Sequence, residues 1–321
     1  MSMTAPELSP DMSELRRSIY DKGAATRADL AGLMALGRQF GDDPAFVSLV
    51  SDVARDALAL DVDPRGYVCE ADADWLIAHL GAESGLTCRA ELAALKAVIG
   101  HAASVPPALA AFAMREVERA ILTGRRGPNG GVEHEPGVVT AEDVEALRTF
   151  CFAPTAGAAC HVDRATAEAM FDIAHATATG ANDTAFAQLF AQAVGNYLLG
   201  AVFVEAPSRA EAIEIERDMD RRESFGEFLS GLAGGLLAPN AADGRKSVDQ
   251  LAEERYHEEN VQAQSRLDAA AGIDAGEAKW ILAHLARGGE LTAAEKRLLD
   301  FLREESTSTP PEIAALFDRA A

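Results

Sequence analysis

The sequence predicts an all-α protein, an internally duplicated helical bundle whose two halves are related by a pseudo-two-fold axis. Three observations predict it. First, Ala73-Asp74-Trp75-Leu76-Ile77-Ala78-His79-Leu80 returns as Ala278-Lys279-Trp280-Ile281-Leu282-Ala283-His284-Leu285. Leu86-Thr87 then matches Leu291-Thr292 at the same offset, and Glu91, Leu95 and Pro106-Pro107 match Glu295, Leu299 and Pro310-Pro311 after a one-residue deletion. Self-similarity at this scale fixes architecture before any single residue is read. Second, one helix-start signature keeps recurring: an aliphatic residue, a capping Thr or Asp, and an acid three positions after the cap. Third, alanine is abundant, aromatics make up only 6% of the 321 residues, and long runs of Val, Ile and Thr are missing, which favours helices over strands.

The capping signature is Val139-Thr140-Ala141-Glu142-Asp143, Ile273-Asp274-Ala275-Gly276-Glu277 and Leu291-Thr292-Ala293-Ala294-Glu295, with looser versions beginning at Val68-Cys69 and Val162-Asp163. The cap oxygen accepts an orphan N–H of the first turn, and the acid reaches back to the N–H of the cap residue. Together with apolar spacing such as Phe46, Leu49, Val50, Val53 and Leu58, these signals predict helices over 27–37, 44–60, 70–80, 88–101, 107–122, 141–152, 164–176, 183–203, 275–286 and 293–304. A second repeated block, Asp43-Pro44-Ala45-Phe46-Val47-Ser48-Leu49 against Asp183-Thr184-Ala185-Phe186-Ala187-Gln188-Leu189, extends the duplication. The implied organisation is a first repeat over 22–123, a connector and linking helix over 124–160, a second repeat over 161–203 plus 271–321, and an insertion over 204–270. The glycine-rich part of the connector, containing Arg125-Arg126-Gly127-Pro128-Asn129-Gly130-Gly131, reads as an exposed loop.

The 204–270 insertion begins with a charged helix bearing Glu211, Glu214, Arg217 and Asp218, followed by an apolar but glycine-rich run from Phe225 to Leu237. A mobile, solvated arm is one reading. The other is a partner-binding arm that lays Phe225, Phe228, Leu232 and Leu236 into a groove of a protein partner or of a second copy.

Composition bounds the function. With 48% apolar residues the chain can bury a core, and a formal charge of −22 argues against nucleic acid or an anionic membrane as partner. No window approaches a bilayer-spanning length, and the first residues lack a secretory pattern, so a cytoplasmic protein is expected. The four cysteines, Cys69, Cys88, Cys151 and Cys160, lack zinc-knuckle spacing and read as reduced packing residues.

Three constellations carry potential chemistry. Asp61-Val62-Asp63-Pro64-Arg65-Gly66-Tyr67-Val68-Cys69-Glu70-Ala71-Asp72 places acids at its first, third and twelfth positions and glycine at its sixth. Calcium needs several oxygens and a sharp turn, so Asp61, Asp63 and Asp72 are the candidate ligands for Ca²⁺ or Mg²⁺. The segment resembles an EF-hand loop, with Arg65 standing where a ligand normally sits and Asp72 shorter than the usual glutamate. The closing half alone recurs at Gly137–Asp143 and Gly289–Glu295. These turns also resemble those of the all-helical TerB-like proteins linked to tellurite resistance, whose helix pairs meet at a short Gly–aliphatic–x–x–x–acid turn. A structural turn and a cation site both remain open for 61–72.

The second constellation is His79 and His284, each one turn after a tryptophan. The sequence favours core histidines bonded to a carbonyl or carboxylate over a catalytic pair. The third sets Glu254 and His257 against Asp172 and His175, resembling the Glu-x-x-His ligands of di-iron bundles. A solvated face is favoured there. No nucleophile elbow, Walker loop or dinucleotide turn is present, and Cys151 and Cys160 lack an evident base apart from the neighbouring His161. The sequence thus favours a non-enzymatic interaction or adaptor protein, with a metal-dependent enzyme using His and carboxylate ligands as the rival.

Overall fold

The computed structural model describes residues 11–80, 85–126, 132–155, 161–199, 208–222, 272–285, 287 and 289–320. Within them the chain is mostly helical. The first half holds α1 (Met12–Tyr20), α2 (Arg27–Phe40), α3 (Pro44–Arg55), α4 (Glu70–His79), α5 (Arg89–His101) and α6 (Pro107–Thr123). The second holds α7 (Ala141–Cys151), α8 (Arg164–Ala176), α9 (Phe186–Leu198), α10 (Arg209–Arg222), α11 (Ala275–Leu285), α12 (Ala293–Glu305) and α13 (Pro311–Ala320).

Two differences from the sequence reading concern helix ends. The helix expected over 44–60 changes to π-helical winding over Asp56–Leu60, where Asp61 N–H reaches Asp56 O at 2.8 Å. The helix expected to start at 183 begins at Phe186, because Asp183 instead turns its carboxylate to Ala185 N–H at 2.9 Å. Helices α1 and α13 lie outside the expected set. Both have clear local causes: Asp11 caps Ser13 and Glu14, and Pro311 occupies the first turn.

The glycine-rich connector is also more than a loop. Arg125–Arg126 (β1) pairs antiparallel with Val132–His134 (β2), and the ribbon brings His134 under cover at 8% exposure.

The core forms around two packed helix pairs. Helix α3 lies on α5, burying Phe46, Leu49, Val50 and Val53 on one side and Leu95, Val98 and Ile99 on the other. Helix α9 lies on α12, burying Phe190, Ala193 and Val194 against Leu298, Leu299 and Leu302. Helices α6 and α7 touch each other and reach α8 and α9 respectively, which joins all of this into one hydrophobic core. Burying each large aliphatic side chain contributes roughly 1.5–3 kcal/mol.

A backbone bond ties the residues ahead of α4, and likewise those ahead of α11, to the segment before a diproline. Val68 N–H donates to Ser104 O at 3.0 Å, and Ile273 N–H donates to Ser308 O at 2.9 Å. Both are flanked by isolated parallel bridges, Tyr67 with Ser104 and Gly272 with Ser308. The following helices α6 and α13 each start on the second proline, whose missing N–H costs nothing in a first turn.

Helices α9 and α12 approach closely because Gly195 lacks a side chain: a Cβ there would overlap the Phe301 ring. Gly195→Ala should therefore cost about 1–3 kcal/mol through overpacking. Adding Phe301→Leu should recover most of that loss, as read by urea denaturation in a double-mutant cycle. Gly289→Ala is the contrast. Its φ of +78° is strained for alanine although nothing lies within 4 Å of the added Cβ. It should cost about 1–2 kcal/mol that Phe301→Leu does not return.

Candidate functional site

The 61–72 segment folds as a turn whose acids go separate ways. Gly66, at φ +85°, makes the sharp corner that its position suggested, and its N–H reaches Ala59 O at 2.7 Å. Its carbonyl accepts from Ala103 and Ser104 N–H at 2.8 and 3.1 Å. Asp61 and Asp63 are exposed, while Asp72 is buried. The Asp72 carboxylate takes Arg27 Nε at 3.0 Å and the Cys69 thiol at 2.9 Å. The Asp63 carbonyl meets another cation, accepting from Arg209 Nη2 of α10 at 2.6 Å. Thus Asp61, Asp63 and Asp72 are not brought together, and among the described residues no three His, Cys, Asp or Glu side chains gather as metal ligands would.

The buried carboxylates follow one rule. Four acids are buried among the described residues: Asp72, Glu116, Asp143 and Glu295. Glu116 accepts Leu86 N–H at 2.9 Å, just ahead of α5. Asp143 accepts Thr140 N–H at 2.7 Å and the Thr140 hydroxyl at 2.6 Å. Glu295 accepts Thr292 N–H at 2.7 Å. Each also meets a potential cation: Arg119 for Glu116, His134 for Asp143, and His175 for Glu295, at 2.8, 2.6 and 3.0 Å. Arg27 serves Asp72 in the same way. A buried carboxylate without such partners would be strongly destabilising.

The His134–Asp143 pair is the most enclosed of these. The hydrogen bond to Asp143 raises the imidazole above its ordinary 6.5, against the opposing pull of burial. Burial pulls the Asp143 carboxyl upward, but the bonds from His134 and Thr140 outweigh it and hold the group below its ordinary 3.8. The pair borders a cavity of about 260 Å³ that Leu92, Glu116, Val117 and Arg125 also line. Sequence reasoning missed His134 because a glycine-rich stretch gave no sign of a ribbon. The capping acid Asp143 was legible, and its need for a cation was the available signal.

The other histidines are accounted for helix by helix. His79, His101 and His284 each sit in a final turn and bond through Nδ1 to the carbonyl four residues back, at 2.8, 2.9 and 2.9 Å. The carbonyl bond is as expected for both repeated histidines, but the expected core position holds only for His284, since His79 is exposed. The two Trp–His pairs share that local geometry, with ring centroids 4.1 and 4.4 Å apart. Their surroundings differ: His79 is exposed, whereas His284 is buried against Phe171. Trp280 packs on Phe171 and Tyr197 and points Nε1 toward Glu168 at 3.3 Å. His284 Nε2 is buried with no hydrogen-bond partner among the described residues.

In the suggested di-iron arrangement, Asp172 instead pairs with Arg287 at 3.3 Å and His175 with Glu295, so they serve different partners. Glu254 and His257 lie outside the described residues, as do Cys160 and the proposed contact residues Phe225, Phe228, Leu232 and Leu236. Cys69, Cys88 and Cys151 are free thiols. Burial pushes Cys151 up to about 12 and Cys88 up to about 11, so both stay protonated and unreactive at neutral pH.

An open groove of about 670 Å³ runs between α1 and α3. Its arginines are largely spent on ion pairs, Arg16 with Asp52 and Arg55 with Asp52 and Asp56. No helix among the described residues is long and apolar enough to cross a membrane. No protein-family model, curated protein or solved structure matches the chain.

The clamp on Asp143 makes stability depend on pH with a definite sign. A raised His134 contributes fully below its ordinary 6.5 and less as pH climbs through its folded value. A lowered Asp143 contributes above 3.8 and less as pH falls below it. The pair's contribution is therefore greatest between those two values. His134→Ala should cost about 2 kcal/mol at pH 6 and less at pH 8, flattening the alkaline limb of a stability–pH curve measured by urea denaturation.

Proposed function

We propose that this chain is a non-enzymatic interaction or adaptor protein of the cytoplasm, built from two copies of a TerB-like helical unit. Its 204–270 insertion makes the contact with a protein partner or with a second copy. The observation that carries the reading is the commitment of the buried ionisable groups. Asp72, Asp143 and Glu295 stand in the first turns of their helices and are matched by Arg27, His134 and His175, while Glu116, midway along α6, holds the Leu86 N–H ahead of α5 and pairs with Arg119. Groups used this way hold helices in place and are poorly placed for proton transfer, which needs an accessible acid or base.

Several equivalences support duplication. Val68–Ser104 and Ile273–Ser308 make the same backbone bond, and α5 and α12 each run 13 residues from a capping box. The unlike settings of Trp75 and Trp280 count against it, and on this reading their side chains have diverged while the backbone bonds were kept. Leu95→Ala and Leu299→Ala, at matching buried positions, should each cost about 2–5 kcal/mol and agree within about 1 kcal/mol in urea denaturation. A large cost at one site with none at the other would contradict the copied-unit reading.

The insertion supports a contact role at its described end. Ser208 and Glu211 cap α10, Ala212 is covered, and Arg209 fastens the first turn to the Asp63 carbonyl. A charged helix fastened at its first turn can offer its far end to a partner. Affinity capture with the full chain, set against a Phe225→Asp/Phe228→Asp/Leu232→Asp variant, tests this. A partner retained by the parent should be lost by the variant with its circular dichroism unchanged. Equal capture by both would remove the insertion from the contact, and stoichiometric iron, manganese or zinc in the purified protein would support the metal-dependent enzyme instead.

A further inference from the structure

A cavity of about 380 Å³ lies where α6, the end of α7 and the start of α8 meet. We propose that it is a binding site for a small, uncharged, largely apolar molecule of aromatic size. This goes beyond the interaction reading, since the packing of the helix pairs does not require the space.

The floor is buried and oily: Met114, Phe150, Cys151 and Ala153 are all at or below 4% exposure. The Cys151 sulfur sits 4.0 Å from the Met114 sulfur, a polarisable surface suited to a ring. Above that floor the α6 and α8 walls carry small side chains, Ala110, Ala111, Ala165 and Ala169, beside the polar Arg115, Glu118 and Thr166. Protein interiors normally close such gaps, and ligand sites of about 300–1,000 Å³ are the usual exception. An apolar cavity of about 150 Å³ already suffices to bind benzene.

Polar groups at the rim restrict the class. The Thr155 and Thr166 hydroxyls line the cavity and spend no side-chain hydrogen bond on the described residues. Burial holds His161 below its ordinary value, which keeps the imidazole neutral at pH 7. Burial, helped by Asp172, raises Glu118. Asp163 and Arg115 also line the cavity. An anion could pair with Arg115 but would meet the two carboxylates lining the same cavity, and a cation would have to leave water for the oily floor, where a charge costs several kcal/mol unless it is paired. A neutral ring bearing one hydroxyl avoids both penalties and can exchange a hydrogen bond with a rim threonine.

Calorimetric titration of the full chain with 1-naphthol tests this, beside naphthalene-1-sulfonate and 1-naphthylmethylamine as charged counterparts. One saturable site is expected, at least ten-fold tighter for naphthol than for either charged analogue. Ala110→Leu and Ala169→Leu fill the space and should each weaken naphthol binding at least ten-fold. Naphthol soaked into crystals of the unaltered protein should lie against Phe150 and Met114, a readout independent of how the variants fold. Absence of binding, equal affinity for a charged analogue, undiminished binding by both folded variants, or naphthol at another place would each overturn the proposal.

Discussion

The constraint on which the structure turns is that three carboxylates among the described residues, Asp72, Asp143 and Glu295, are buried at helix starts and each is matched from a neighbouring element. A helix opens with N–H groups that have no intrahelical acceptor. Here the acids that accept them lie inside the protein, where an ionised group survives only with further partners. Arg27 reaches Asp72 from α2, His134 reaches Asp143 from β2, and His175 reaches Glu295 from α8. Each local cap thus becomes a tertiary contact. Losing the partner leaves a carboxylate buried, so the order of the helix start and the docking of the neighbouring element stand or fall together.

That coupling explains what the sequence disclosed and what it withheld. The caps Thr140–Asp143 and Thr292–Glu295 were legible because a capping box is a local pattern over a few residues. The corner at Gly66 was legible for the same reason. Partners of the caps were not, because β2 and α8 reach them through the fold. His134 sits nine residues before Asp143 in a stretch rich in glycine, and His175 lies 120 residues before Glu295. The motif over 61–72 exposes the limit most plainly. Its spacing suggested converging oxygens, yet the same spacing serves a turn in which Asp72 faces α2 and the Asp63 carbonyl faces α10. Sequence position alone does not aim a side chain.

The two Trp–His pairs make the same local bond in different settings. In both helices the histidine bonds the carbonyl of the tryptophan four residues earlier, a contact that helical geometry supplies without any tertiary help. What differs is the neighbouring layer. Phe171 of α8 closes over His284 and Trp280, while His79 remains exposed. The same local bond stands beside unlike neighbours because backbone bonds tolerate most side chains and ring packing does not.

The same distinction bears on where a ligand cavity can persist. Within each half, α3 on α5 and α9 on α12 bury large side chains against each other, and a void there would cost stability in proportion to its volume. Helices α6 and α8 touch each other next to α7, and on the proposed division this is the junction of the two repeats with the connector. On the copied-unit reading, neither half's internal packing dictates how that junction fills. Small side chains there can leave space without unpicking a helix pair, and space at such a seam is where binding sites commonly form. The floor of Met114, Phe150 and Cys151 is kept dry by the core beneath it, so the junction pairs a rigid base with walls free to vary. A seam of that kind can accept a small molecule while the capped helices around it keep their shape.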